Sequence, residues 1–300
     1  MPEVARKIST LDSVALRASR PHHPQPAPGR TFAVPRLPQD FHTVIDPSKH
    51  PLQPWRDLPP PTGLPPFHMS LDSILSADAI ALITNSGKMV FHSVGDTGGV
   101  NTPTQVDNVA TYMESDFSGN DVTTHPSFFF IWATWSITAE SWRAYYPEFY
   151  EPCLSYPGPI VAIPGNHDGD IDPQTAETSL EGFVRNFCSQ SPVHTPEAQD
   201  ATRTSMTQPY VYWTLLTPLI TIIGLYSNCS EGAQSGADQL VESELRSAPK
   251  DRAVIVAVHH PIYSAYGGKP GSQHLKSVLE NAVKAAGRTL ELGAGSSRCG

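Results

Sequence analysis

Three short polar clusters have the residue types and the placement to do chemistry. They are Gly95-Asp96-Thr97-Gly98-Gly99, Gly165-Asn166-His167-Asp168 and His259-His260-Pro261. Each stands directly after an apolar run of strand length, at residues 89–94, 159–163 and 253–258. Asp oxygen, Asn amide oxygen and His nitrogen are ligands that a hard divalent cation accepts. Two such cations a few ångströms apart can clamp a phosphoryl group and lower the pKa of a bound water for in-line attack, but they need a bridging carboxylate. Glycines beside the ligands let backbone come close to a substrate. Taken singly, each cluster reads equally well as a turn or a satisfied strand end, with Asp or Asn bonding nearby backbone. Three in succession, all at strand ends where α/β folds carry their ligands, point to one site.

The elements that must position these clusters alternate between strand and helix. Residues 89–94, 128–132, 159–163 and 253–258 read as strands, and residues 210–216 with 219–226 as a hairpin. Helical spacing runs over 105–117, with Val106, Val109, Tyr112 and Met113 on one side, and over 237–246 and 273–286. Residues 141–156 read as an aromatic-rich helix, whose Trp142, Tyr145, Tyr146, Phe149 and Tyr150 are assigned to the core rather than to a stacking platform. This alternation predicts an α/β fold combining buried parallel strands with an antiparallel hairpin. No internal repeat interrupts it.

About half of the 30 prolines stand before Phe67, in segments such as Pro24-Gln25-Pro26-Ala27-Pro28 and Pro59-Pro60-Pro61 that suit neither helix nor central strand. Residues 1–66 are therefore expected to form an irregular leader, its end packing along a domain at 67–300. The polar stretch 172–208 is expected to be an insertion or cap. Histidines in and beside the leader (His22, His23, His42, His50 and His68) lack ligand spacing and read as solvated loop residues.

A formal net charge of −9 argues against a general nucleic-acid binder, which needs surplus Lys and Arg to neutralise phosphates. No apolar stretch reaches membrane-spanning length, and the first residues lack the apolar core of a secretory signal. Cys153, Cys188, Cys229 and Cys299 are scattered without metal-type spacing, which predicts reduced thiols in a cytoplasmic protein. A small anionic substrate is compatible with this charge, since a bound metal can dominate it locally, and neither nucleic acid nor membrane is expected as a partner.

Residues 159–168, reading Pro-Ile-Val-Ala-Ile-Pro-Gly-Asn-His-Asp, together with the apolar run closed by His259-His260-Pro261, resemble the calcineurin-like metallophosphoesterases. The resemblance covers about residues 70–290. It implies a sandwich of two mixed sheets flanked by helices, with the site at the strand ends. It implies hydrolysis of phosphate mono- or diesters by metal-bound hydroxide, using divalent ions from among Mn, Fe, Zn and Mg. By resemblance, Asp96 binds the first metal, Asn166 and His259 bind the second, and His167 contacts the phosphate and helps protonate the leaving oxygen. Gly98 and His260 would border the substrate. Gly98 stands where many members carry a ligand His, which matches the purple-acid-phosphatase-like variant.

Two departures bear on activity. The family carries a Gly-Asp after its second strand, whose Asp bridges both metals, whereas residues 128–137 here read Phe-Phe-Phe-Ile-Trp-Ala-Thr-Trp-Ser-Ile. The family also ends its site with Gly-His-x-His, and no His follows His274 here, so truncation at the C-terminal side is expected. Residues 131–137 coincide with what a one-base deletion produces from codons for His-Leu-Gly-Asp-Val-Val-Tyr, and 293–298 can be encoded so that another frame approaches the final motif. Asp168 and Asp170 lie close by but follow Asn166 on one loop, the wrong side for a bridge. The expectation is weak metal retention and impaired hydrolysis, with Trp132 and Trp135 crowding the metal space. The alternative is a non-catalytic, frame-shifted or degenerate member, or a phosphate-binding or scaffold protein on the same fold.

Overall fold

The computed structural model describes residues 57–95, 97, 103–132, 145–165, 167–169, 178–227, 231–263 and 271–289; for 103–105, 167 and 231–235 only the backbone is described. The chain divides into two units, 1–42 and 43–300, and every described residue belongs to the second.

The strands are β1 (His68–Ser70), β2 (His92–Gly95), β3 (Phe129–Trp132), β4 (Ile160–Ile163), β5 (Trp213–Leu216), β6 (Ile220–Leu225) and β7 (Ala253–Val258). The helices are α1 (Ala77–Ser86), α2 (Pro103–Ser115), α3 (Glu181–Phe187), α4 (Glu231–Ser247) and α5 (Gln273–Ala285). Strands β2, β3 and β4 form one all-parallel sheet in that order. The other sheet runs β1-β5-β6-β7, with β5 antiparallel to β6 and the outer pairs parallel. Helix α4 packs on β6 and α5 packs on α4. The architecture is the expected α/β sandwich of two sheets with helices outside.

The core lies between the sheets. β4 reads Ile-Val-Ala-Ile and is buried at all four positions, as a strand covered on both faces must be. Phe130 of β3 meets Trp213 of β5 edge-on, with ring centroids 5.7 Å apart. The Trp213 indole donates to the Ala162 carbonyl at 3.0 Å, bridging one sheet to the other. The Gln208 side-chain amide accepts from Ala162 N at 2.6 Å and donates to Ala162 O at 2.9 Å. A buried side chain thus stands in for a neighbouring strand and satisfies the open edge of β4. Gly224 has no room for a side chain, because a Cβ there would lie 2.7 Å from Ile163 Cγ2 and 2.9 Å from Trp213 Cε2.

Two expectations need correction. The helix read over 141–156 is, from Tyr145 on, one wide turn at Tyr146–Tyr150, closed by Glu151 N donating to Tyr146 O at 2.8 Å and followed by irregular turns. Pro147 and Pro152 lack the N–H groups that a regular i→i−4 ladder needs. The aromatic residues still enter the core, since Tyr145, Phe149 and Tyr150 are buried. The polar, loop-rich stretch expected over 172–208 carries, in its described part, a helix, α3, whose Phe183 and Phe187 stack at 4.8 Å, with Phe187 packed against Phe149. β1 and α1 are additional elements. The end of the expected leader is described from residue 57, where Gly63 N donates to Pro209 O at 2.8 Å and Tyr210 OH donates to Pro59 O at 3.0 Å.

Candidate functional site at the carboxyl ends of the strands

The register brings the ends of the strands to one edge of the sandwich. Gly95, Trp132 and Ile163 close β2, β3 and β4 at the same level. Across the core, Ile163 meets Gly224, one residue from the end of β6, and Leu225 of β6 pairs with Val258 of β7. The loops that leave these strands are the three polar clusters. They therefore share one end of the fold, as ligand-bearing loops of α/β proteins do.

Not every predicted site residue falls among the described ones. Asp96, Gly98 and Asn166 lie outside them, and so does the side chain of His167, whose backbone forms the short turn His167–Gly169. His259 is half-buried just past β7, its ring 5.0 Å from that of His260 in an edge-on contact. His260 Nδ1 lies 2.8 Å from the Ser227 hydroxyl. Register explains the pairing, because Ser227 and His260 each stand two residues past the paired Leu225 and Val258. Ser227 was not singled out in the sequence; its signal was only its position after a hairpin strand.

The loop after β4 is held from below by a carboxylate. Asp168 is buried and its Oδ2 accepts from Gly165 N at 2.6 Å, closing the Gly-Asn-His-Asp turn on itself. Near it lies Glu148, whose carboxyl is pushed up to about 8, first by burial and then by the negative charge of Asp168. Glu148 keeps some residue surface, but its Oε2 has none and finds no partner among the described residues. Tyr145 is held well above its ordinary value, by burial first and by Asp168 next. These groups brace the loop without forming a nucleophile–base pair.

Beyond β7, Ser272 N donates to Pro261 O at 2.9 Å, and Ser272 caps α5 by accepting from Leu275 N. Gly271 presses against the backbone of Ile262 and Tyr263, and a Cβ there would strike the Ile262 carbonyl. Glycine is required for this approach, which ties the start of α5 to the His259-His260-Pro261 loop.

The central strand ends differently. Trp132, at the level of Gly95 and Ile163, follows Phe130 on the same face of β3 and so points between the sheets. Its Nε1 is buried with no hydrogen-bond partner among the described residues. Thr97, two residues past Gly95, has its hydroxyl in the same condition. No group of three or more His, Cys, Asp or Glu side chains that could hold a metal occurs among the described residues.

Residues 117–285, more than half of the 300-residue chain, match the calcineurin-like phosphoesterase family. The chain belongs to the calcineurin-like phosphoesterase family. The match takes in the Gly-Asn-His-Asp and His-His-Pro loops and the whole of β3, β4, β5, β6 and β7. No curated protein matches. A solved structure titled "GAP50 the anchor in the inner membrane complex of Plasmodium" is similar at a TM-score of 0.43 and 18% identity, over 67% of this chain and 63% of that one. The alignment thus spans less than two thirds of that protein. The family is one of phosphoester hydrolases that use divalent metals. Among the described residues no helix is long and apolar enough to cross a membrane.

Among the described residues, the end of β3 offers no ligand for a two-metal centre. A bridging position needs an anionic oxygen, and residues 128–137 contain none. At the end of β3 the structure puts an indole, whose N–H is a donor and cannot ligate a cation.

Proposed function

We propose that this chain is a phosphate-ester-directed member of the family in which two-metal hydrolysis is impaired. The observation that carries this reading is the end of β3, where the chain leaves the strand at Trp132 and residues 128–137 carry no carboxylate, with Thr134 standing where the family resemblance expects the bridging Asp. Asp96, Asn166, His167 and His259 keep the family roles assigned above, in a purple-acid-phosphatase-like arrangement, but Asn166 and His259 make only part of one metal's ligand set. Losing even a partner that merely orients a ligand weakens metal affinity roughly 10–100-fold, and losing the bridge costs more. The chain's own contribution that remains is recognition. The backbone at Gly98 and the imidazoles at 167, 259 and 260 would meet an anionic phosphoryl group.

The reading is tested by equilibrating the purified protein with manganese, iron or zinc, removing loosely held metal, and assaying nitrophenyl phosphate mono- and diesters. The expected result is metal-poor protein with no turnover that further purification leaves in place. Two retained metals per chain with sustained turnover would overturn it.

A second reading is favoured by one specific feature, the match of residues 131–137 to a frame-shifted His-Leu-Gly-Asp-Val-Val-Tyr. On that reading the chain is a damaged copy of an active hydrolase. Resequencing the coding DNA across 128–140 decides it: a missing base that restores Gly-Asp supports the reading, and a stretch with no one-base repair removes it. For setting, the buried free thiols of Cys153 and Cys188 support a reducing, cytoplasmic environment. The 1–66 leader remains our proposal for the organisation of the chain.

A further inference from the structure

Two buried polar atoms at the mouth of the sandwich, Trp132 Nε1 and Thr97 Oγ1, have no partner among the described residues. Leaving a donor buried and unmet costs on the order of 1–3 kcal/mol, so such groups are rare unless something outside the chain satisfies them. Both atoms belong to adjacent strand ends, because Gly95 pairs with Trp132 and Thr97 follows Gly95 by two residues. Contact there is close, since a Cβ on Gly95 would sit 3.2 Å from the Trp132 carbonyl. Ser93 and Gly95 lie on the same face as Phe130 and Trp132, yet both are exposed, so this side of the mouth is open to solvent.

The chemistry of the two atoms is one-sided. An indole N–H only donates, and a threonine hydroxyl can donate by rotating. The indole does not suit a cation, and both groups can donate to an oxygen that carries negative charge. We propose that Trp132 Nε1–H and the Thr97 hydroxyl form a metal-independent oxyanion site that holds a phosphate oxygen directly. The inference rests on the reading of these strand ends as facing a phosphate ester. It adds that in this chain hydrogen-bond donors take the place the metals hold elsewhere in the family.

The test follows the indole N–H resonances of the five tryptophans in nitrogen-15-labelled protein, kept in excess EDTA, while inorganic phosphate is added. Trp132→Phe identifies the Trp132 resonance by its disappearance and keeps an aromatic ring. The expected result is a saturable downfield shift of that one resonance, and in Thr97→Val binding about tenfold weaker, the scale of one hydrogen bond to a charged group. Thr97→Val, at a half-buried position, keeps the test decisive if Trp132→Phe does not fold, because one resonance must still move in the parent and saturate later in the variant. The inference is overturned if no indole resonance moves, if one moves only after manganese is supplied, if chloride at equal ionic strength moves it as far, or if Thr97→Val binds as the parent does. Retention of two metals with ester turnover would instead overturn the impaired-hydrolase reading, whichever way this titration falls.

Discussion

Replacing Glu148 by Gln should change how stability depends on pH. The Glu148 carboxyl stands at about 8 in the folded chain, against an ordinary 4.5, because burial and then Asp168 disfavour its charged form. A carboxyl raised in this way binds its proton more tightly folded than unfolded. Its contribution is fully present below the unfolded value and is lost as pH rises through the folded one. At pH 7 the folded carboxyl is still mostly protonated while the unfolded one has ionised. At about 1.4 kcal/mol for each pH unit past 4.5, the parent loses on the order of 3 kcal/mol between pH 4 and pH 7, and about 4–5 kcal/mol by pH 9. The amide of the Glu148→Gln variant cannot ionise, so that variant should match the parent near pH 4.5 and exceed it by about that margin at pH 8. Asp107 and Glu151 are also raised by burial and leave a smaller slope of the same sign in both proteins. Urea unfolding followed by tryptophan fluorescence at several pH values measures the difference. Equal slopes in parent and variant, or a variant less stable at pH 8, would refute the reasoning.

Other expectations follow from packing. Gly224→Ala puts a methyl 2.7 Å from Ile163 Cγ2 and should cost about 1–3 kcal/mol through overpacking between the sheets, read from the denaturant midpoint. Gln208→Leu leaves Ala162 N without its acceptor, while Ala162 O keeps the Trp213 indole, and should cost roughly 1–3 kcal/mol, with faster amide exchange at Ala162 as its local sign. Cys153 is pushed up to about 12 by burial, so thiol reagents at neutral pH should leave it unmodified until the protein is unfolded. Exchanging Ala133-Thr134 for Gly-Asp, the family's missing pair, should raise manganese retention above that of the parent, as measured by elemental analysis.

Much of the frame was legible in the residues. β7 occupies the range its apolar run predicted, and the hairpin β5–β6 follows from two such runs with a short polar break. α1 was passed over although its signals are plain: Ser76 caps it by accepting from Ala79 N, and Gly87 ends it in the left-handed region at φ 61°. β1 is only three residues long and follows Pro65-Pro66, so no periodicity marks it; it exists because β5 supplies its hydrogen bonds. α3 escaped notice because its apolar side is little more than Phe183, Val184 and Phe187, which become core only against Phe149. In the site, the clustering of three loops followed from their strand-end positions. That the Trp132 indole finds no partner among the described residues did not, because hydrogen bonding is a property of the packed neighbours rather than of the tryptophan's place in the chain. The Ser227–His260 contact likewise needs the register of β6 on β7.

The most direct test of the account is metal content. Protein equilibrated with excess manganese or zinc and then passed through a desalting column should retain well below two ions per chain, because residues 128–137 supply no carboxylate to bridge two metals. Two ions per chain, held through the column, would contradict it.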